Sequence, residues 1–173
     1  MDIQKQQEVT APVFRFKGGT DMFYADAHKP LSGDQTEHGR HASKKITIAI
    51  ADDSAIQHKI WGLLINQDTA LELVCLAYNG QDLIRQIETS VRIPDICILD
   101  LEMPVMNGVC TAKRLSQRFP TIKVFGCTSC EDEHLRTEMR KNNVIAVFSK
   151  TENRTLLHTI SQLQHPAAAS CNS

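Results

Sequence analysis

The chain lacks the features that define several large classes of protein. Its 173 residues carry a formal net charge of −1, without the basic stripe that a nucleic-acid-binding surface presents. No apolar run approaches the roughly 18 residues that a membrane-spanning helix needs. The first residues do not show the charged-then-apolar order of an export signal. We therefore expect a cytoplasmic protein that binds neither DNA nor a membrane directly.

The cysteines do not form a disulfide framework. Six are present, but the chain is longer than a small secreted domain, and most of them lie within apolar segments, as reduced thiols do. Cys127 and Cys130 form one C-x-x-C pair. A redox pair or half of a metal site is the minor alternative here, because no second such pair or histidine pair accompanies it.

The two ends of the chain differ in composition from its centre. Residues 1–44 are rich in polar residues and lack a sustained period, which predicts a flexible N-terminal extension. Its four aromatic residues leave a second interpretation open, namely a short docking segment; they are Phe14, Phe16, Phe23 and Tyr24. Residues 165–173 are predicted to be a disordered tail. The folded domain is expected to span residues 45–164.

Apolar, β-branched runs alternate with helical patterns through this central part. Strands are predicted at 45–51, 71–77, 95–99, 122–127 and 144–149, and helices at 54–67, 80–90, 108–119, 131–142 and 152–163. Strands that are apolar throughout indicate a parallel sheet covered on both faces. The fold class is therefore α/β: a doubly wound, five-stranded, flavodoxin-like sheet of order 2-1-3-4-5, with helices on both faces.

The first helix is predicted to begin after Ser54, whose hydroxyl can cap it. Four apolar residues recur at helical spacing and would share one face; they are Ile56, Ile60, Leu63 and Leu64.

Polar residues stand where the predicted strands end. Right-handed crossovers bring all of these ends to one edge of the sheet, and ligands bind there, at the point where the strand order reverses. The residues at the strand ends are Asp52 and Asp53, Asp100, Thr128 with Ser129, and Lys150. Three carboxylates in one pocket repel each other unless a cation joins them. Mg²⁺ suits such oxygen ligands and leaves room for a phosphoryl group.

A metal, a lysine and a hydroxyl around one carboxylate are suited to phosphoryl transfer onto that carboxylate. The reaction needs in-line geometry and charge neutralisation. Asp100, at the end of the central strand "CILD", is the candidate nucleophile.

With these motifs, the chain resembles the receiver domain of bacterial two-component response regulators. The resemblance covers about residues 45–164 and is carried by "ADDS", "ILDLEMPVMNG", "CTS" and "FSK". It implies a phosphoprotein that a histidine kinase or phosphotransfer protein phosphorylates on Asp100. It also implies a role that is not enzymatic. Since nothing after residue 164 is long enough for a DNA-binding domain, we expect a stand-alone receiver, related to regulators with helix-turn-helix outputs. Such a receiver would signal through protein–protein contacts with an output protein that the sequence does not identify, and a homodimer is left open.

The resemblance also implies a role for each pocket residue. Asp52, Asp53 and Asp100 would bind Mg²⁺, together with the backbone carbonyl of Glu102. Lys150 would pair with the phosphoryl group, Thr128 would move toward it as the switch, and Ser129 would stand beside it.

The chain departs from the family pattern at two positions. Thr151 follows Lys150 where receivers usually have proline in a cis bond. Val147 stands at the position of the aromatic toggle, three residues before the lysine, while Phe148 should point to the opposite face of the strand. Both departures concern the segment that couples the pocket to the rest of the fold.

Two other functions compete with the phosphoaccepting receiver. One is a receiver-like binding module that acts without phosphorylation. The other is a Mg²⁺-dependent phosphohydrolase of the haloacid dehalogenase type, which also phosphorylates an aspartate at a strand end. That family needs D-x-D-x-[TV], whereas this chain has Glu102 in place of the second aspartate and Pro104 in place of Thr or Val. The sequence therefore favours the receiver.

Overall fold

A computed structural model describes residues 44–163 of the chain. The predicted N-terminal extension with its aromatic residues, apart from Lys44, and the predicted tail at 165–173 lie outside the described residues.

Five strands alternate with five helices. They are β1 (Ile46–Ala51), α1 (Ala55–Asn66), β2 (Leu71–Ala77), α2 (Gly80–Thr89), β3 (Ile96–Leu99), α3 (Gly108–Arg118), β4 (Lys123–Thr128), α4 (Glu133–Lys141), β5 (Val144–Ser149) and α5 (Asn153–Gln162). The sheet order is β2-β1-β3-β4-β5, and every neighbouring pair is parallel. The predicted fold class and strand order are confirmed, and the predicted boundaries of the strands and helices differ from the observed ones by at most two residues.

The sheet separates two apolar layers, because successive side chains of a strand point to opposite faces. Ala49 and Ala51 of β1 pack with the buried residues of α2, α3 and α4. Ile48 and Ile50 pack on the other side with α1 and α5, around the fully buried Trp61. Both faces of the central strands are therefore covered, which explains why these strands are apolar throughout.

The four apolar residues predicted to share one face of α1 are only partly covered, since Ile60 and Leu64 are half-buried. The helix buries His58, Trp61 and Ile65, whereas Ile56 and Leu63 are 71% and 63% exposed. Apolar residues occur on more than one side of this helix, so their spacing alone does not select a face. The indole of Trp61 offers the largest apolar area and is the one turned to the sheet. The cap is confirmed: Gln57 N–H donates to the Ser54 hydroxyl at 3.4 Å.

The two residues at the altered toggle lie on opposite faces of β5, as the pleat predicts. Val147 faces α4 and lies beside Gly126. A Cβ placed on Gly126 would lie 3.1 Å from each Val147 methyl group and 3.3 Å from the Met139 methyl group. Phe148 packs on the other face, its ring centroid 6.4 Å from that of Phe125. The space beside Gly126 is therefore filled by an aliphatic side chain.

A carboxylate ties two strands together at the opposite edge of the sheet from the strand-end carboxylates. Asp95 Oδ2 accepts from the Thr47 N–H at 2.9 Å and from the Thr47 hydroxyl at 2.6 Å. Partial burial raises the pKa of Asp95, but the two Thr47 bonds and the charges of Lys44 and Arg92 outweigh it, so the pKa lies below its ordinary value of 3.8. A carboxylate with a lowered pKa stabilises the fold above about pH 4 and loses that effect as it is protonated.

We expect Asp95→Ala to lower the free energy of unfolding by about 1 kcal/mol at pH 7, because both Thr47 donors lose their acceptor. The difference from the parent should shrink as the pH falls below about 4, because the Asp95 carboxylate is protonated first in the unfolded chain and then, at lower pH, in the folded protein. Urea unfolding at pH 7 and pH 3 measures both values. Glu131→Ala, which removes an exposed carboxylate, is the control. An equal loss at the two pH values would contradict the stabilising role of the charge.

Candidate functional site

Three carboxylates meet at the carboxyl edge of the sheet, where the strand order reverses. Asp52 and Asp53 follow β1, Asp100 follows β3, and these two strands are neighbours. The Asp100 N–H donates to the Ala51 carbonyl at 2.9 Å, which extends the pairing of the two strands into the pocket. One oxygen of each carboxylate lies within 4.8 Å of the others. The predicted meeting of the three aspartates is therefore what the structure shows.

The ammonium group of Lys150 lies between two of these carboxylates. Its Nζ is 2.7 Å from Asp100 Oδ2 and 2.9 Å from Asp52 Oδ2. The three side chains are almost enclosed, with 13% of Lys150, 3% of Asp52 and 6% of Asp100 exposed. One positive charge is thus shared by two negative ones in a site that water barely reaches.

Burial and charge act in opposite directions on these groups. Burial raises the pKa of Asp52 by more than the Lys150 ammonium and the Ser54 N–H lower it. For Lys150, burial lowers the pKa, but the hydrogen bonds and charges of Asp100 and Asp52 outweigh it, and the pKa is raised. The lysine therefore keeps its charge, while the carboxylates are short of positive charge.

The donors of the pocket fit a divalent cation. Asp100 Oδ1 is buried and has no hydrogen-bond partner, which is costly for a carboxylate oxygen. Asp53 is exposed and turns its carboxylate toward the same point. Three oxygen ligands, one of them without a protein donor, are the set that a hard ion such as Mg²⁺ accepts.

The loop after β3 folds back tightly against Asp100. Gly108 N–H donates to the Leu101 carbonyl at 3.0 Å, and a Cβ on Gly108 would collide with the backbone carbonyl oxygen of Asp100. Val105, at the tip, is 84% exposed and has a φ of 66°, which is strained for a β-branched residue. Glu102 lies in this loop and is exposed.

The predicted switch residues stand next to the carboxylates without contacting them. Thr128 is buried, at 1% exposure, and its hydroxyl accepts from the Cys130 N–H at 3.0 Å. Its carbonyl accepts from the Lys150 N–H at 3.0 Å, which joins the ends of β4 and β5. Ser129 is exposed. Cys130, the second cysteine of the C-x-x-C pair, thus contributes its backbone N–H to this turn. Both cysteines of the pair are free thiols.

Hydrogen bonds close the loop after Lys150, where the family usually has proline. The described residues contain no cis peptide bond. The Ser149 N–H donates to the Glu152 carboxylate at 2.9 Å, and the hydroxyls of Ser149 and Thr151 lie 2.9 Å apart. The sequence did not predict Glu152 or the buried Asn153 beside this loop, and it predicted Cys127 only as part of the C-x-x-C pair.

Comparison with known proteins identifies the family. The family model of the response regulator receiver domain matches residues 48–162. The chain belongs to the response regulator receiver domain family. Receivers accept a phosphoryl group in two-component signalling, and the buried aspartate cluster suits that role. The predicted family and phosphoaccepting receiver function are confirmed.

Several proteins of different kinds are similar to this chain in sequence or in structure. A protein-glutamate methylesterase/protein-glutamine glutaminase of Halalkalibacterium halodurans is 40% identical over 76 residues, which are 44% of this chain and 21% of that protein. The response regulator domain of Thermotoga maritima CheB is 22% identical, with a TM-score of 0.61 over 69% of this chain and 96% of that one. A LuxR-family DNA-binding response regulator from Staphylococcus aureus is 26% identical, with a TM-score of 0.62 over 68% and 98%.

The chain spans about a fifth of the length of the curated relatives it matches. The receiver domain, which the family model matches at residues 48–162, supports a non-enzymatic phosphoaccepting role. Among the residues that the structure describes, no helix is both long and apolar enough to span a bilayer.

Proposed function

We propose that Asp100 is the phosphoacceptor and that a histidine kinase or phosphotransfer protein is the donor. The observation that carries this proposal is the Lys150 ammonium 2.7 Å from Asp100, beside a carboxylate oxygen that no protein group satisfies. The Asp100 carboxylate attacks the phosphorus of a phosphohistidine. The phosphorus–nitrogen bond breaks, its electron pair stays on the imidazole, and an acyl phosphate forms on Asp100.

We infer that Asp52, Asp53 and Asp100 hold Mg²⁺ together with the backbone carbonyl of Glu102. When bound, the ion neutralises charge on the phosphoryl oxygens. The chain supplies the rest of the charge neutralisation from Lys150, whose raised pKa keeps it protonated. On phosphorylation the ammonium exchanges its contact with Asp100 Oδ2 for a phosphoryl oxygen.

Thr128 and Ser129 complete the proposed phosphoryl site. The Thr128 hydroxyl now accepts from the Cys130 N–H. A hydroxyl can accept this bond and still donate its own hydrogen, so we propose that the side chain rotates toward Asp100 to donate to a phosphoryl oxygen. Ser129 is exposed at the mouth, where a small side chain leaves access to a donor. This rotation is the proposed switch.

The test is the binding of beryllofluoride, a phosphoryl analogue, in the presence of Mg²⁺. The parent should show saturable amide shifts around Asp53, Asp100 and Thr128, while Asp53→Ala should bind Mg²⁺ at least about tenfold more weakly, having lost a charged ligand. Asp82→Ala, which removes a carboxylate from α2, is the matched control and should bind as the parent does. Equal Mg²⁺ affinity in the Asp53→Ala protein would disprove the assigned metal site.

This titration and a phosphatase assay together separate the two alternative functions. A phosphorylation-independent module would not bind beryllofluoride, and a phosphohydrolase would release phosphate from a generic phosphomonoester. The proposed receiver binds the analogue and has no such activity. Its output, in the cytoplasm, is a protein–protein contact with an output protein or a second copy of the chain. On α4, Arg140 and Lys141 pair with Glu133 and Glu138, and the Arg136 Nε–H donates to the Cys130 carbonyl.

A further inference from the structure

A buried polar bridge joins three elements that surround the acidic pocket. Cys127 lies on β4, Asn153 is the first residue of α5, and Gln57 lies on α1. The Cys127 thiol donates to Asn153 Oδ1 at 3.1 Å, and Asn153 Nδ2 donates to Gln57 Oε1 at 3.4 Å. Cys127 and Asn153 are 2% and 6% exposed. None of the three belongs to the proposed phosphoryl or metal site.

Each member of the bridge lies within four residues of a pocket residue along the chain. Cys127 precedes Thr128, Gln57 lies in the first turn of the helix that follows Asp53, and Asn153 comes three residues after Lys150. The Lys150 loop is held at its strand end by the bond between Ser149 and Glu152. At its helix end, Glu152 makes no side-chain cap bond to α5. The Asn153 amide adds a side-chain contact at that end of the loop, beside the backbone bond from the Glu152 N–H to the Ser149 carbonyl.

The chemistry of the bridge depends on a thiol that keeps its proton. Burial raises the pKa of Cys127 to about 12, so the thiol is a donor at neutral pH and leaves Asn153 Nδ2 free to reach Gln57. A buried amide without partners costs about 1–3 kcal/mol, and an apolar side chain would fill this space without that cost. We infer that an asparagine is needed here to hold the loop in one position, because its two directional hydrogen bonds attach the loop to both β4 and α1.

We propose that the Cys127–Asn153–Gln57 bridge positions the Lys150 ammonium against Asp100. The bridge adds to the Ser149–Glu152 bond in fixing the loop that follows Lys150. The proposal rests on the proposed role of Asp100 as the phosphoacceptor. Cys127, Asn153 and Gln57 are positioning residues: they touch no phosphoryl oxygen and act only through the Lys150 loop. Without the bridge, the loop shifts and the ammonium no longer reaches Asp52 and Asp100 together.

The experiment compares three substitutions in the full chain. Asn153→Leu and Cys127→Val remove the hydrogen bonds and leave an apolar side chain in place, and Cys127→Ser keeps a donor toward Asn153. We expect the first two to weaken beryllofluoride binding in Mg²⁺ by about tenfold, which is one lost hydrogen bond, and Cys127→Ser to stay within about twofold. Ser161→Ala, which breaks a bond between α5 and Asp68 far from the pocket, should change nothing.

A second readout follows Lys150 directly, through the ¹⁵N signal of its ammonium group. In the parent the ion pairs slow its hydrogen exchange; Asn153→Leu and Cys127→Val should speed that exchange, and Cys127→Ser should restore it. Stability loss with unchanged Lys150 exchange and unchanged analogue affinity would overturn the proposal. Cys127→Ser behaving like Cys127→Val would do the same, since packing would then explain both.

The two readouts separate this proposal from the proposed function. If the parent fails to bind beryllofluoride, the phosphoacceptor role is lost, whereas the Lys150 signal still tests the bridge. If Asn153→Leu does not fold, the Cys127→Val and Cys127→Ser pair decides the question alone.

Discussion

Asp100→Asn should abolish labelling of the protein by acetyl phosphate. The substitution keeps the shape of the side chain and removes the nucleophilic oxygen, so the labelling rate should fall at least about 100-fold. The product on the parent is an acyl phosphate, which hydroxylamine cleaves. Loss of radiolabel or of the added phosphoryl mass, compared with the parent at equal Mg²⁺, measures the effect.

Glu102→Gln is the matched control for this experiment. It also exchanges a carboxylate for an amide in the same loop, but the proposed contribution of Glu102 is its backbone carbonyl, which the substitution leaves in place. We expect labelling within about twofold of the parent. Asp100→Asn should remain folded, with a free energy of unfolding within about 1 kcal/mol of the parent. Label taken up by the Asp100→Asn protein at the parent rate would remove Asp100 from its proposed role.

Lys150→Met should destabilise the metal-free protein by about 3 kcal/mol, because two nearly buried carboxylates lose the cation that they share. Mg²⁺ should recover most of this loss, since the ion supplies the missing positive charge to Asp52 and Asp100. Phosphoryl-analogue affinity should still fall at least tenfold with saturating Mg²⁺, as the phosphoryl oxygens lose a charged donor. Urea unfolding with and without Mg²⁺, followed by a beryllofluoride titration, gives the three values.

Lys59→Met removes an exposed lysine from α1 and is the control for this variant. It should change neither the free energy of unfolding nor the free energy of beryllofluoride binding by more than about 0.5 kcal/mol. A Lys150→Met protein that is as stable as the parent without Mg²⁺ would show that the two carboxylates do not depend on the ammonium.

The sheet order and the pocket could be predicted because both follow from rules of chain connection. Parallel strands place their ends on one edge, so Asp52, Asp100 and Lys150 had to converge once the strands were located. The period of the strands also placed Val147 and Phe148 on opposite faces. These rules need only the positions of residues along the chain.

Packing choices were not accessible in the same way. The helix α1 is apolar on more than one side, and what decides its orientation is how the bulk of Trp61 fits against the sheet, which the spacing of Ile56 and Leu63 does not express. The Cys127–Asn153–Gln57 bridge has no sequence signal, because its members are 26 and 96 residues apart across each bond. Side-chain contacts of this kind depend on rotamers and volumes in three dimensions.

The pocket residues are far apart along the chain, so the site forms only when all five strands have paired. Asp100 and Lys150 meet across 50 residues of sequence, and Lys150 reaches the pocket only after β5 has joined β4. A chain that has paired only its first three strands presents the aspartates without their cation. The complete pocket, and with it the capacity to receive a signal, therefore exists only in molecules in which β5 has joined the sheet. Any ligand of the finished pocket shifts the equilibrium toward the fully folded molecule.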